Sequence, residues 1–394
     1  MVPKGWSHTT FEKHIDCLTG YAFSSTEYSA EEHDIRLLRG DNIEPGKLRW
    51  INAKRWPRNV QENMDKYFLL EGDFVIALDR TWISGGLKVA EVTCDDLPCL
   101  LVQRVARIRA KKTLAQGLLR QYFSGYKFEQ YVKLTQTATA VPHISPNDIK
   151  QFSLLLPPIA EQKKIAQILS TWDKAISVTE KLLANSQQQK KALMQQLLTG
   201  KKRLLDENGV RFSGEWRNST LSMFCNIAKG KALSASDLEV GDFPVIAGGK
   251  SSPYSHSDYT HENVVTVSAS GAYAGYISYH NYKIWASDCS VVSAKADNLI
   301  DYFYQLLLSL QDKIYSLQSG GAQPHIYPKD LNSIPLWVPC VKEQQKIAAV
   351  LSAADAEIST LEKKLACLRD EKKALMQQLL TGKRRVKVDE AVAE

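Results

Sequence analysis

A long internal repeat is the feature that most constrains the fold of this 394-residue chain. Residues 161–203 begin EQKKIAQILS and end KKALMQQLLTGKKR, and residues 343–385 begin EQQKIAAVLS and end KKALMQQLLTGKRR. The offset is 182 throughout, and 27 of the 43 aligned positions are identical. Such self-similarity predicts one structural unit used twice.

Weaker matches extend the repeat toward the start of each half. AVPHISPNDIKQFSLLLPP (140–158) aligns at the same offset with AQPHIYPKDLNSIPLWVPC (322–340), whereas LTGYAFS (18–24) faces AKGKALS (228–234) at an offset of 210. Gly5–Trp6 likewise faces Glu215–Trp216. The second copy is therefore shorter, and its middle has diverged or been replaced. We expect domain, helix, domain, helix: two different surfaces on one pseudo-two-fold scaffold.

The strong repeats are predicted to be long helices. Each follows proline and ends at a glycine, Gly200 or Gly382, in the position of a C-terminal cap. Apolar residues recur at alternating spacings of three and four, which is typical of a coiled coil. The predicted seam includes Ile165, Leu169, Ile176, Leu183, Leu193 and Leu197 in the first helix, and Ile347, Leu351, Ile358, Leu365, Leu375 and Leu379 in the second.

Two such seams in one chain are expected to bury each other. A whole domain lies between the helices, so an antiparallel pairing is as reachable as a parallel one, and antiparallel is the arrangement we expect. Packing restricts the seam, but it leaves unexplained why Gln195, Gln196, Gln377 and Gln378 are identical outside it. We interpret these glutamines as a surface on which one partner docks twice; recent duplication is the competing explanation.

The first segment alternates apolar runs with turn signals, and residues 35–43, 72–80 and 99–109 are predicted as strands. Residues 113–134 have helical spacing. Arg, Asn and Gln side chains can bond to purine edges, and tryptophans such as Trp82 and Trp56 can lie against a sugar–phosphate backbone. A lone surface arginine is more often a solvated charge. The candidate DNA contacts here are Arg39, Asn42, Arg55, Arg80, Trp82, Gln103, Arg104 and Arg107.

The second segment is rich in β-formers, glycine, serine and tyrosine over residues 243–294. Small residues let a backbone approach a ligand closely, and tyrosines offer aromatic faces. Packing of the tyrosines on a sheet is the alternative, and both readings stay open. The candidate DNA contacts here are Lys250, Ser270, Tyr273, Tyr276 and Lys283.

Motifs of catalysis and nucleotide binding are not found in the sequence. AGGKSS differs from a phosphate loop because Pro244 stands where the first glycine is required. HExxH, GxSxG and zinc-type Cys/His spacings are missing, and the eight histidines are scattered. The chain is therefore expected to be no enzyme, and to bind no metal or cofactor itself.

Composition and charge restrict the class of protein further. The seven cysteines form no CxxC pair, the first residues lack the apolar core of a secretory signal, and no stretch reaches the ~18 apolar residues of a membrane span. We expect a cytoplasmic protein with reduced thiols and no membrane contact. The net charge is +7, yet residues 206–338 hold 13 acidic and nine basic residues. If the chain binds DNA, partners should therefore supply part of the phosphate neutralisation.

These features resemble the specificity subunits of Type I restriction–modification systems over essentially the whole chain. The resemblance is carried by the GW opening, the TGYAF and LLRGDNI segments (19–23 and 37–43), and VPHISPNDIKQFSLLLPPIAEQKKIAQIL (141–169), whose junction and helix recur at 322–351. The second copy departs from the pattern at Pro339–Cys340, where the first has a double proline. We expect this difference to alter only the entry turn of the helix.

The resemblance implies an α+β protein with two target-recognition domains joined by two long helices in an intramolecular coiled coil. The domains would span 1–156 and 206–338, the conserved helices 157–205 and 339–385, and a C-terminal tail 386–394. Each domain would recognise one half of a split site on double-stranded DNA, and the coiled coil would set the unread spacer.

The resemblance also implies partners that carry the chemistry of host defence. Two adenine methyltransferase subunits that use S-adenosylmethionine would dock on the helices, and restriction/translocase subunits that use ATP and Mg would join them. The alternatives are a stand-alone DNA-binding regulator, an interaction scaffold, an enzyme with a hidden site, and a specificity subunit for a fused restriction–methylation enzyme. Replacing Gln103 or Arg107 with Ala is predicted to impair recognition of one half-site only.

Overall fold

The computed structural model divides the chain into two units, each made of one domain and parts of both long helices. The structure describes residues 2–59, 62–234, 236–249, 254–320 and 323–388. The first unit comprises 1–178 and 365–394, and the second comprises 179–364. Every helix of the described residues is too short or too polar to cross a membrane.

The first domain consists of short strands followed by three helices. Its strands are β1 Ser7–Thr10, β2 Ile15–Thr19, β3 Ile35–Leu38, β4 Ile43–Glu44, β5 Lys47–Leu48, β6 Arg55–Trp56, β7 Phe74–Ala77, β8 Trp82–Ile83, β9 Gly86–Leu87, β10 Val89–Glu91, β11 Cys99–Leu101, β12 Val105–Ala110 and β13 Ser153–Leu156. Its helices are α1 Gln116–Phe123, α2 Tyr126–Thr135 and α3 Pro146–Gln151, and the first long helix is α4 Ile159–Leu197. The predicted strand at 72–80 is confirmed as β7, and the helical stretch 113–134 contains α1 and α2. The other two predicted strands are each interrupted: 35–43 forms β3, a single 3-10 turn at 40–42 and the start of β4, and 99–109 is two strands separated by a turn.

The second domain repeats this plan with fewer strands. Its strands are β14 Arg217–Thr220, β15 Cys225–Lys229, β16 Phe243–Ile246, β17 Ser255–His256, β18 Val264–Ser268, β19 Ile277–His280, β20 Trp285–Ala286, β21 Cys289–Ala294 and β22 Pro335–Val338. Its helices are α5 Leu221–Phe224, α6 Ile300–Ser309, α7 Gln311–Tyr315 and α8 Pro328–Asn332, and the second long helix is α9 Val341–Leu379.

Three sheets recur in both domains, and the first domain also has the hairpins β4-β5 and β8-β9. In the first, an antiparallel sheet has the order β10-β7-β12-β2, a second sheet has the order β11-β3-β6 with β11 and β3 parallel, and β1 pairs with β13. In the second, the corresponding orders are β19-β18-β21-β15, β20-β16-β17 with β20 and β16 parallel, and β14-β22. The middle of the second copy has thus diverged in sequence without being replaced by another fold.

The shortening of the second copy is spread over several loops. The offset between the first residues of corresponding strands is 210 for β2 and β15, 208 for β3 and β16, and 200 for β6 and β17. It falls to 184 for β12 and β21 and reaches 182 for β13 and β22. The 28 missing residues therefore come out of the segments between these corresponding strands, which keep their order.

Each domain packs its core against the long helices. In the first unit, aromatic residues around Phe11, Phe128 and Phe152 share one apolar cluster with Leu169 of α4 and Leu379 of α9. In the second unit, the corresponding cluster includes Leu197 of α4 and Leu351 of α9. Burial of each such side chain contributes about 1.5–3 kcal/mol, so the helices are integral to both domains.

Ion pairs within each unit show that the helices run antiparallel. In the first unit, Asp173 pairs with Lys372 at 2.6 Å and Glu161 pairs with Arg385. In the second unit, Lys190 pairs with Asp355 at 2.5 Å and Arg203 pairs with Glu343 at 2.6 Å. In both units, the residue number in the second helical repeat falls as the residue number of its partner in the first repeat rises. The two sets consist of residues related by the 182 offset, so the units repeat the same contacts.

The predicted seam and caps agree with the structure. All twelve seam residues are buried or half-buried. Gly200 and Gly382 follow the ends of α4 and α9 with φ values of 73° and 69°, the left-handed conformation that favours glycine at a helix C-terminus. The predicted boundaries of the five segments stay predictions, because the compact units cut across both helices.

Candidate nucleic-acid interface

Several turns of the first unit meet at one end of its four-stranded sheet. The N–H of Leu78, just after β7, donates to the carbonyl of Arg104, just before β12, at 2.9 Å. The N–H of Ile144 donates to the carbonyl of Leu78 at 3.0 Å, and that of Val102 donates to Leu38 at 3.1 Å. We call the segments 38–42, 78–80, 102–104 and 142–144 the first turn frame.

The second unit contains the same backbone arrangement. The N–H of Ala269 donates to the carbonyl of Asp288 at 3.2 Å, and that of Ile326 donates to Ala269 at 2.9 Å. The N–H of Ser287 donates to Ile246 at 2.7 Å. We call the segments 246–249, 269–271, 287–288 and 324–326 the second turn frame. The two frames share their hydrogen bonds although their sequences differ.

A glycine is required at the same place beside each frame. A Cβ atom at Gly20 would lie 2.3 Å from the carbonyl oxygen of Val102, and one at Gly230 would lie 2.3 Å from that of Ser287. No side chain fits at these distances. Gly20 and Gly230, which align in the sequence, are therefore required for the same structural reason.

Asp79 holds an arginine at the surface of the first turn frame. Its Oδ2 lies 2.5 Å from Nη1 of Arg104, and its Oδ1 lies 2.8 Å from Nδ1 of His143. Burial works to raise the pKa of Asp79, but the hydrogen bonds from Arg104 and His143 outweigh it and keep that pKa below its usual value. The Arg104 side chain remains 72% exposed, so the guanidinium is fixed at one nitrogen while its other donors face solvent.

Further positive charge surrounds the first turn frame. Arg80 is exposed, has φ 47°, and donates its N–H to the carbonyl of Pro142 at 2.7 Å. Arg39 is half-exposed beside Asp41. Lys88, which sequence reasoning missed because it lies in no recognisable pattern, is half-buried nearby. Burial lowers the pKa of Lys88, and Asp41 opposes that change.

The second turn frame has different side chains at the corresponding positions. Asp288 takes the place of Arg104, and the hydroxyl of Ser270 donates to its carboxylate. Gly271 takes the place of Arg80 and keeps the same bond, with its N–H donating to Pro324 at 3.1 Å.

The other candidates of the second domain lie in different settings. Tyr273 is 46% exposed and lies three residues after Ser270. Tyr276 is half-buried. The Nζ of Lys283 lies 4.4 Å from the ring centre of Tyr259. The candidate Lys250 lies outside the described residues.

Two candidates of the first domain brace the interior instead. Asn42 is 7% exposed: its Oδ1 accepts the N–H of Arg39 at 3.0 Å and its Nδ2 donates to the carbonyl of Arg49 at 3.1 Å. Arg107 is 5% exposed and pairs with Asp16, and burial lowers its pKa. Because neither side chain offers surface to a base, Asn42 and Arg107 are not among the proposed DNA contacts. The predicted loss of one half-site on replacing Arg107 with Ala therefore no longer follows.

The tryptophans and Arg55 are also engaged within the domain. The Nε1 of Trp82 donates to Glu129 at 3.1 Å. Trp56 is buried, which contradicts its predicted stacking on DNA. Nη1 of Arg55 donates to the carbonyl of Asp34 at 2.9 Å. Gln103, by contrast, is exposed within the first turn frame. The structure thus brings Arg39, Arg80, Gln103 and Arg104 together and separates them from the rest.

The four glutamines predicted to form a docking surface are exposed near the C-terminal end of each long helix. Gln195 and Gln196 precede the end of α4, and Gln377 and Gln378 precede the end of α9. Within the first unit, Gln377 also lines a cleft of about 1240 Å³ together with Tyr126, Lys373 and Met376. No group of three His, Cys, Asp or Glu side chains in the described ranges is arranged to hold a metal ion.

Known proteins resemble this chain in both sequence and fold. The EcoAI specificity subunit of a type I restriction enzyme from Escherichia coli is 34% identical over 182 residues, covering 46% of this chain and 30% of the relative. The MjaVIII specificity subunit of a type I restriction enzyme from Methanocaldococcus jannaschii is 29% identical over 209 residues, covering 52% and 48%. The chain thus aligns with less than half the length of either relative.

Solved structures extend the likeness in fold to the whole chain. The S subunit of a type I restriction–modification system from M. genitalium superposes with a TM-score of 0.69 at 17% identity and covers 96% of both chains. A chain from a study of complex assembly and conformational transition of the type I R-M system superposes with a TM-score of 0.53 at 18% identity, covering 98% of this chain and 100% of that one.

The family profile matches the chain twice. The Type I restriction modification DNA specificity domain matches residues 35–185 and 213–368, and each match contains one turn frame and the first part of one helical repeat. Because these matches cover more than half of the sequence, the chain belongs to the Type I restriction modification DNA specificity domain family.

Proposed function

We propose that this chain is the DNA-sequence-specificity subunit of a Type I restriction–modification complex, and that it is not itself catalytic. Each domain would bind one half of a bipartite site on double-stranded DNA. The observation that carries the proposal is the pair of turn frames, which share one backbone and differ in their side chains. The shared protein backbone would dock on DNA in the same way in both domains, and the side chains would then set which bases are accepted.

The side chains of the first turn frame suit base edges and phosphates. Arg39, Arg80 and Arg104 supply guanidinium groups, and Gln103 supplies an amide on the same surface. Guanidinium and amide groups are the donors most often paired with guanine and adenine in the major groove. The interface is therefore a set of turns presented by a rigid sheet.

We place the spacer between the half-sites in the long helices. Each has 39 residues, or about 58 Å at 1.5 Å per residue. Ile165 and Leu169 of α4 belong to the core of the first unit, and Leu197 and Leu198 belong to that of the second. A helix that is part of both cores can fix how far apart two DNA-contacting surfaces lie.

Partner subunits would carry the chemistry. Two methyltransferase subunits would dock on the repeated glutamine surfaces, and restriction/translocase subunits would join them. S-adenosylmethionine, ATP and Mg would be bound by those partners and not by this chain. The acidic balance of residues 206–338 supports the need for partners, because DNA phosphates require positive charge nearby. We infer that the complex works in the cytoplasm.

The test is to co-express this chain with the methyltransferase subunit encoded beside it and to map methylated adenines across the host genome. We expect a split motif, methylated in both halves and absent when this chain is deleted. A stable complex without new methylation would overturn the proposal in favour of a scaffold. The lack of any complex would favour a stand-alone DNA-binding protein.

A further inference from the structure

The two turn frames differ most sharply in the residue that precedes an inner strand of each four-stranded sheet. Arg104 precedes β12 and Asp288 precedes β21, and both use their carbonyl oxygen to accept the same backbone bond. The turn is one residue longer in the first domain, so Gln103 has no counterpart. A positive side chain in one domain therefore stands where the other has a negative one.

This exchange of charge limits what the position can face on DNA. A guanidinium binds a phosphate well, whereas a carboxylate beside a phosphate is repelled. If the two domains dock on DNA alike, as the proposed function requires, a position that holds a positive side chain in one domain and a negative one in the other does not face the sugar–phosphate backbone of DNA. Base edges in the major groove present both acceptors and donors, and so they suit either side chain.

Each side chain is held ready by a neighbour from the turn beside it. Asp79, itself bonded to His143, fixes one nitrogen of Arg104 and leaves the remaining donors of the guanidinium to solvent. Ser270 donates to Oδ2 of Asp288 and leaves Oδ1 as an acceptor. Side chains fixed in advance lose less rotational freedom on binding, so their contacts discriminate better.

We infer that Arg104 and Asp288 are specificity determinants of opposite chemistry, an inference that rests on the proposed function. Arg104 donates to the O6 and N7 acceptors of a guanine in the first half-site. Asp288 accepts from the N4 amino group of a cytosine in the second half-site. Adenine suits Asp288 less well, because its N7 acceptor would face the carboxylate.

The first test compares Arg104→Lys, Arg104→Ala and the exposed control Lys112→Ala in the methyltransferase complex, by mapping methylated adenines. Arg104→Ala is expected to lose discrimination at one guanine of the first half-site, on the order of 10- to 100-fold, with the second half-site unchanged. Arg104→Lys is expected to keep part of this discrimination, because an ammonium group can also donate to guanine. The Lys112 variant should keep the wild-type motif. A wild-type motif in Arg104→Ala would overturn the inference for Arg104.

The second test uses Asp288→Asn, which has nearly the same shape and still accepts from Ser270. Its amide adds donors, so the preference is expected to shift from cytosine toward adenine at one position of the second half-site only. An unchanged motif would overturn the inference for Asp288.

Different results would exclude the specificity-subunit function and the roles of Arg104 and Asp288. A split motif in the wild type with no change in either variant would leave the proposed function standing and remove this inference. The lack of any motif in the wild-type complex would remove both. Purified complexes binding duplexes that differ at the single base pair would give the same comparison without methylation.

Discussion

Single polar residues in this protein serve two different purposes that the sequence does not separate. Asn42 and Arg107 have the residue types that contact bases, yet they bond to the backbone and to Asp16 inside the first domain. Arg104 and Gln103, only a few residues away, are exposed. The residue type predicts which hydrogen bonds a side chain can make. Whether DNA could reach that side chain depends on its burial, which is set by residues far away in the sequence.

His280 is expected to make the stability of the second unit depend on pH. It is 5% exposed, and burial lowers its pKa from about 6.5 to about 4. Below pH 6.5 the unfolded chain gains a proton that the folded chain does not, so stability is lost as the pH falls toward 4. The loss is about 3 kcal/mol at most, and urea unfolding measured from pH 7.5 to 4.5 checks it. In His280→Gln this part of the pH dependence should be missing; an identical profile would contradict the assignment.

A second residue-scale prediction concerns the buried carboxylate of Glu343. Glu343 is 1% exposed and accepts two bonds from Arg203, at 2.6 and 2.7 Å. Arg203→Met would leave this charge without its partner and is expected to cost about 3–5 kcal/mol in unfolding free energy. The double variant Arg203→Met/Glu343→Gln removes the charge as well and should recover most of that loss. Equal losses in the single and double variants would show that the charge itself does not matter.

At the scale of helices and strands, local patterns predicted what depends on near neighbours. The bounds of α4 and α9, their glycine caps and the coiled-coil seam follow from spacing in the sequence. The pairing of β1 with β13, which are far apart in sequence, was not predicted because no local pattern encodes it. The similarity between the middle parts of the two domains was also hidden, because the second domain has shorter loops and the offset drifts from 210 to 182.

The antiparallel register in the second unit is open to a charge-exchange test. Lys190 pairs with Asp355, which also accepts from Gln305 at 2.7 Å. Lys190→Glu places two carboxylates together at a half-buried site and is expected to cost about 1–3 kcal/mol. Adding Asp355→Lys should restore most of the lost unfolding free energy. If the double variant is no more stable than the single one, the two side chains are not neighbours in solution.

At the scale of the whole molecule, one backbone is used twice with different surfaces. The contacts of Glu161 with Arg385 and of Glu343 with Arg203 are the same pair at the 182 offset, and Trp6 and Trp216 donate to the respective carboxylates. Sequence repeats predicted this duplication. The shared turn frames could not be predicted, because their common part is backbone hydrogen bonding and their side chains differ.

Lengthening both helices is expected to lengthen the DNA spacer. Seven residues inserted after Thr179 in α4 and seven after Leu361 in α9 keep the heptad seam and add about 10 Å, close to three base pairs. Methylome mapping should show both half-sites unchanged and the spacer longer by about that amount. An unchanged spacer with an active complex would remove the helices as the ruler.

The most direct measurement of the central claim is the motif methylated by a chain with two copies of the first domain. Residues 7–156, from β1 to β13, would replace residues 217–338, from β14 to β22, and the reciprocal replacement would serve as the control. If each turn frame recognises its own half-site, the first chimaera methylates the first half-site in both arms, in inverted orientation, and the reciprocal one does so with the second half-site. A chimaera that assembles with its methyltransferase and keeps the wild-type split motif would contradict the account.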